Sequence, residues 1–251
     1  SWHMPNTNRN AYEEYKKEHI KNAIFFDIDK FSNKKTELPH MLPNEEEWEK
    51  IVSNLGITNE DRIIVYDNSD VISSCRCWYT FIFFGHNPNL ISVLNGGLLK
   101  WKKENRETSD KVSNHEKKNY KAIKISHLVK SKEEIDKNIL EKKFQVVDAR
   151  SKSRFLGLEK EPRQNVKSGS IQNSYCLPFG ELINPKDKTF IEKNLIKEKF
   201  TNIGINNEKN VVFSCGSGIT ATVLGLAYSI INDRYLPAIY DGSWAEYGKI
   251  K

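Results

Sequence analysis

The stretch VVFSCGSGITATVLGLAYSII, residues 211–231, decides how the chain is read. An apolar run stops at Cys215, three small residues follow, and apolar residues then recur at helical spacing to Ile231. Such a run is typical of a strand buried on both faces of a parallel sheet, and the segment after it predicts a helix over Ile219–Ile231. The junction predicts a loop whose backbone N–H groups and helix N-terminus surround the Cys215 sulfur. Those donors stabilise negative charge and make a thiolate available near neutral pH. Glycines at 216 and 218 permit the backbone angles that a cupped loop needs.

Outward from this stretch, the chain echoes itself. RIIVYDNSD (62–70) matches NVVFSCGSG (210–218), aligning Asp67 with Cys215 at an offset of 148 residues. ISVLNGGLLKW (91–101) matches PAIYDGSWAEY (237–247) at an offset of 146. EHIKNAIFF (18–26) matches SGSIQNSYCLPF (168–179), aligning Ile20 with Ile171 at an offset of 151. Short β-rich runs alternate with helical patterns over Asn44–Leu55, Cys75–Phe84 and Ser131–Glu141, so the expected fold class is α/β, twice over. The expected domains are 1–108 and 123–251, joined by a linker at 109–122 inside the polar run KKENRETSDKVSNHEKKNY (102–120). FQVVDARS (144–151) reads as a strand and turn opening the second half. Its counterpart falls before residue 1, so the first half is expected to lack its opening strand.

Composition narrows the chemistry. The 251 residues carry 39 basic and 33 acidic side chains, a formal charge of +6, with lysines dispersed among Glu and Asn. That pattern fits a solvated surface and small anionic substrates. No basic stripe interleaved with aromatics points to nucleic acid, and no run of about 18 apolar residues points to a membrane span. Four cysteines (Cys75, Cys77, Cys176 and Cys215) fit neither a disulfide framework nor a zinc site, so no metal is expected and a reducing compartment is. Three kinds of cysteine chemistry fall away. A phosphate-cradling C-x5-R loop would need Arg where Ala221 stands. A redox C-x-x-C is absent, because Gly-Ser-Gly follows Cys215. A thiol protease needs a His partner, and the second half offers only His127.

CGSGITA at 215–221, with FFDID, LPHMLP, NGGLLKW, VVDARS, EPR and YDGSW elsewhere, resembles the two-domain rhodanese-like sulfurtransferases along the whole chain, and most closely the mercaptopyruvate form of their cysteine loop. The resemblance implies tandem rhodanese-like domains, each a mainly parallel sheet flanked by helices, with a catalytically silent first domain. It further implies that Cys215 takes sulfur from 3-mercaptopyruvate as a persulfide, releasing pyruvate, and passes it to a thiol such as thioredoxin or glutathione, or to cyanide. No cofactor is implied. Arg154 and Arg163 match the pair that grips the substrate carboxylate and carbonyl, a task that suits the planar guanidinium fork. Ser217, His40 and Asp29 match a proton relay to which both halves contribute. Gly216, Gly218, Ile219 and Thr220 complete the substrate loop.

Two alternatives stay open: thiosulfate as the main donor, and a persulfide carrier without turnover. The neutral residues after Cys215 favour a monoanionic 2-oxo acid over thiosulfate. The expected compartment is cytoplasmic, or mitochondrial if a targeting segment precedes residue 1. The family's H-I-P-G segment reads HIKN at 19–22 and SIQN at 170–173, which reads as drift within a turn. Trp244, Tyr247, Cys75 and Cys77 are expected to be packing residues.

Overall fold

The structure, a computed structural model, describes residues 1–5, 7–205 and 210–250. Unit 1 comprises Ser1–Lys34, Leu42–Ile125 and Pro185–Thr189, and unit 2 comprises Lys35–Met41, Ser126–Asn184 and Phe190–Lys251. A short piece of each half therefore packs with the other half's unit. Among the described residues, no helix is long and apolar enough to cross a membrane.

Unit 1 runs α1 (Ala11–Lys17), β1 (His19–Ile20), α2 (Glu45–Asn54), β2 (Ile63–Val65), α3 (Ser74–Phe83), β3 (Ile91–Val93), α4 (Gly97–Lys103) and β4 (Thr108–Ser109). Helix α2 starts where the sequence predicts, because Asn44 and Glu47 form a reciprocal capping box. The core is aromatic: fully buried Trp48 lies edge-on to Phe81 at 5.0 Å and stacks on Phe84 at 5.2 Å. Strands β2 and β3 pair in parallel, while β1 and β4 pair antiparallel. The polar run that reads as a linker contains the end of α4 and all of β4. Beyond it the chain is tied along unit 1. The N–H of Lys118 donates to Ser53 O, that of Tyr120 to Ser53 Oγ, and that of Ile123 to Phe84 O.

Unit 2 runs β5 (Val129–Lys130), α5 (Lys132–Glu141), β6 (Phe144–Asp148), α6 (Lys152–Phe155), β7 (Tyr175–Cys176), α7 (Lys193–Asn202), β8 (Asn210–Ser214), α8 (Ala221–Ile231), β9 (Ala238–Tyr240) and α9 (Ser243–Tyr247). Its five strands are all parallel, in the order β5-β9-β8-β6-β7, which puts the strand leading to Cys215 at the centre. Ile135, Val146, Val212, Tyr240 and Trp244 fill one face of the sheet.

The repeat holds at the level of register. Ile64 pairs with Ser92 and Val65 with Val93 in unit 1; Val212 pairs with Ala238 and Phe213 with Ile239 in unit 2, at the same offsets of 148 and 146. Asn22 and Asn173, in the two departures from H-I-P-G, both take left-handed angles (φ 64° and 62°). Asn tolerates this region better than most residues, so the turn survives loss of its glycine.

One expectation fails. Ile63–Tyr66 reads as a strand buried on both faces, yet Ile64 is 61% exposed, whereas its counterpart Val212 is 1% exposed. The cause is the neighbour: β8 is flanked by β6 and β9, and among the described residues β2 has only β3 beside it.

Trp48→Ala should destabilise unit 1 by about 3–5 kcal/mol through the cavity it leaves. Leu140→Ala, at a position 86% exposed, should move stability by less than about 0.5 kcal/mol. Urea unfolding of both variants checks this, and equal losses would contradict the core assignment.

Candidate active site around Cys215

Strand β8 ends at Ser214, helix α8 begins at Ala221, and the six residues between them form the loop that the sequence predicts. Its shape is set from α9. Trp244 N–H donates to Cys215 C=O and Ala245 N–H to Gly216 C=O, both at 2.9 Å. In a trans peptide the N–H points opposite the C=O, so these bonds aim the amides of Gly216 and Ser217 away from α9. Gly218 adopts φ 79°, the left-handed angle expected of a cupped loop. Gly216 does not have a positive φ. Its reason is proximity: a Cβ there would lie 3.2 Å from Arg154 Nη2 and 3.5 Å from Arg163 Nη1. Both arginines singled out from the sequence therefore stand over the residue that follows the cysteine. Cys215 itself is 1% exposed, Ile219 is buried and Thr220 half-buried.

The arginines are held differently. Asp148, at the end of β6, accepts from Arg150 Nε and Nη2, and Arg150 Nη1 donates to Glu161 at 2.7 Å. Glu161 also accepts from Arg154 Nη2 at 2.5 Å and Nε at 3.2 Å. The Arg150 guanidinium lies 4.6 Å from the Trp244 ring, so the indole packs against the chain of charges, as expected of a packing residue. Arg154 is thus fixed by a carboxylate, and Arg163 is not: among the described contacts it donates to the neutral Ser217 Oγ at 3.1 Å. Burial pulls its pKa below the usual arginine value, and the nearby Cys215 is the group that most opposes this.

Ser217 Oγ is also 2.9 Å from His40 Nδ1. His40 belongs to the 35–41 segment that packs with unit 2, so this contact lies inside that unit. It is 8% exposed and holds φ 61°, an uncommon angle for a non-glycine residue. With the ring proton on Nε2, Ser217 can accept from Arg163 and donate to His40, giving its proton an exit. Asp29, the third expected member, lies in unit 1, where its backbone C=O accepts from Lys34 Nζ at 2.6 Å.

Sequence reasoning missed Ser243. Its Oγ accepts from Cys215 N–H at 3.1 Å, donates to Tyr240 O at 2.8 Å, and lies 4.0 Å from the Cys215 sulfur. Ser243 holds φ 48°, and its repeat partner Gly97 holds φ 52°. Unit 1 places glycine where this angle costs nothing, while unit 2 bears the strain to keep a hydroxyl under the cysteine. The substitution at matched repeat positions was the signal that could have found it. Glu161 and Arg150 were also missed, because the partners that define them are distant in sequence.

The site is thus a thiol on a strand-to-helix loop in a parallel α/β unit, faced by two guanidiniums and a serine–histidine pair. Against known families, the model for "Rhodanese-like domain" matches residues 9–104 and 131–249. The chain is 35% identical over 268 residues to the Arabidopsis thaliana protein named thiosulfate/3-mercaptopyruvate sulfurtransferase 1, mitochondrial, covering 98% of this chain and 70% of that one. It is 35% identical to the Mus musculus 3-mercaptopyruvate sulfurtransferase, covering 98% and 82%. The crystal structure of SseA from Escherichia coli, described as a 3-mercaptopyruvate sulfotransferase of rhodanese fold, superposes with a TM-score of 0.84 at 29% identity, over 95% of this chain and 88% of that one. The chain belongs to the rhodanese-like domain family.

Two outcomes follow from this geometry. Ser243→Gly relieves the backbone strain and should leave unit 2 about 1 kcal/mol more stable than Ser243→Ala, which keeps it; urea midpoints of the two variants decide. Burial pushes the Cys77 thiol up to about 12 and the Cys176 thiol up to about 11, and holds Cys75 well above the ordinary range. Peptide mapping after brief iodoacetamide treatment of native protein at pH 8 should find all three unmodified; rapid labelling of Cys75 or Cys77 would overturn their reading as packing residues.

Proposed function

We propose that the protein is a sulfurtransferase that takes sulfur from 3-mercaptopyruvate through a Cys215 persulfide. The observation that carries this is Arg163, a half-buried guanidinium over Gly216 whose partner is the neutral Ser217 hydroxyl. Asp148, Arg150, Arg154 and Glu161 balance as two cations and two carboxylates, and Arg163 beside them adds one positive charge. One net positive charge suits a monoanionic 2-oxo acid better than a dianion.

In the first half-reaction the Cys215 thiolate attacks the donor's thiol sulfur. A sulfur–sulfur bond forms, the donor's carbon–sulfur bond breaks, and its electron pair leaves as the pyruvate enolate. Arg154 and Arg163 bind the carboxylate and carbonyl oxygens, where the enolate charge develops. The Gly216 and Ser217 amides and the Ser243 cap hold the loop against the charge on sulfur. Ser217, coupled to His40, delivers the proton that turns enolate into pyruvate. For Asp29 the resemblance alone supports a place in that relay. In the second half-reaction a thiol or cyanide removes the outer sulfur and regenerates Cys215. A reducing compartment such as the cytosol suits this thiolate.

A second reading, thiosulfate as donor, is favoured by the Arabidopsis relative, whose name carries both substrates. Turnover with cyanide, quantifying pyruvate and thiocyanate, separates the readings. Mercaptopyruvate should be preferred, Cys215→Ser should abolish activity, and Arg163→Ala should lower kcat/KM by about 100-fold, the value of a lost charge-assisted bond. Preference for thiosulfate would overturn the charge argument, and a loaded persulfide without pyruvate would make the protein a carrier.

A further inference from the structure

The two guanidiniums over Gly216 are held by partners of different charge. Arg163 donates to the Ser217 hydroxyl at 3.1 Å, so a neutral group suffices to place a guanidinium here. Arg154 instead donates to Glu161, from Nη2 at 2.5 Å and from Nε at 3.2 Å. The Glu161 side chain is 2% exposed, and its other described donor is Arg150 Nη1, at 2.7 Å.

A buried carboxylate weakens any anion site beside it. Arg154 Nη2, which donates to Glu161, also lies 3.2 Å from where a Gly216 Cβ would stand, so one nitrogen separates the carboxylate from the residue after the thiol. Across about 6 Å of protein a unit charge alters anion affinity by roughly tenfold or more, in proportion to the anion's own charge. Glu161 therefore penalises a dianion twice as heavily as a monoanion. Its charge also reaches Arg163: burial lowers that guanidinium's pKa, Cys215 opposes this most, and Glu161 opposes it too. Lys152, Glu159 and Lys160, the other charged residues of the loop, are exposed, and solvent screens them.

We propose, resting on the mercaptopyruvate reading above, that Glu161 selects the sulfur donor. It is a positioning residue that orients Arg154 and, by its charge, turns away doubly charged donors such as thiosulfate in favour of a monoanionic 2-oxo acid. A hydroxyl or amide in its place would hold Arg154 without that discrimination, as Ser217 holds Arg163.

The test is kcat/KM for 3-mercaptopyruvate and for thiosulfate, each with cyanide as acceptor, in the native protein, Glu161→Gln and Glu161→Asp. Glutamine keeps the size and drops the charge, so the thiosulfate-to-mercaptopyruvate ratio should rise about tenfold. Aspartate keeps the charge at a shorter reach, so both donors should slow while the ratio stays within about twofold of native. A merely structural role would lower both donors together in Glu161→Gln. An unmoved ratio there, or an equal rise in Glu161→Asp, would overturn the selector. If circular dichroism shows Glu161→Gln unfolded, Arg150→Gln probes the same charge with opposite sign. It removes a cation and leaves Glu161, so the ratio should fall several-fold, and an unchanged ratio overturns the selector equally. Native preference for thiosulfate would sink the donor reading, and the selector with it, before any variant is compared. Native preference for mercaptopyruvate with an unmoved ratio would sink the selector alone.

Discussion

Two backbone hydrogen bonds, from Trp244 N–H to Cys215 C=O and from Ala245 N–H to Gly216 C=O, are the constraint on which the site depends. They orient the peptide planes after β8, and with them the amides of Gly216 and Ser217. The corresponding bond exists in unit 1, where Leu98 N–H donates to Asp67 C=O, also at 2.9 Å. The loop's geometry is therefore a property of the repeated fold, and its chemistry depends on which side chain occupies the turn. In unit 1 that side chain is a carboxylate that consumes the local donors itself, accepting from Ser74 N–H at 2.8 Å and Ser73 Oγ at 3.0 Å. The unit 1 turn is thus occupied by its own carboxylate, where the unit 2 turn carries a thiol.

Charge reaches the site by relay from the sheet. Asp148 terminates β6, grips Arg150, and through Glu161 fixes the position of Arg154. Buried ion pairs contribute little net stability, because desolvation offsets their attraction, so such a chain is better understood as a positioning device. It turns a loop residue into one referenced to the central strands. Arg163 stands outside the relay: one guanidinium is held by a carboxylate, the other donates to the Ser217 hydroxyl.

The fold was legible because it is encoded twice. The apolar runs at Ile63 and Val211, and the Asn95–Asp241 alignment, predict strands whose register the structure reproduces to the residue. Cys215, Gly218 and the α8 start were legible from local pattern alone. Arg154, Arg163, Ser217 and His40 needed the family resemblance, since a loop arginine has no local signature of its role. What remained hidden depends on contacts across the sequence: Glu161 between two arginines, Ser243 under the cysteine, and the capture of residues 35–41 by unit 2. The exposure of Ile64 was hidden for a related reason. Burial of a strand belongs to its neighbours, and an apolar run says what a strand can bury without saying what is there to bury it.

The two sheets also differ where chemistry makes demands. A nucleophile must keep its place within a fraction of an ångström of its amides and cations, and supporting elements with fixed partners on both sides provide that. Strand β8 has β6 and β9 hydrogen-bonded along its flanks, and Asp148 and Ser243 approach Cys215's surroundings from those two neighbours' ends. Removing either flank would loosen the relay or the cap as well as the strand. Strand β2 leads into Asp67, whose carboxylate accepts locally from Ser73 and Ser74.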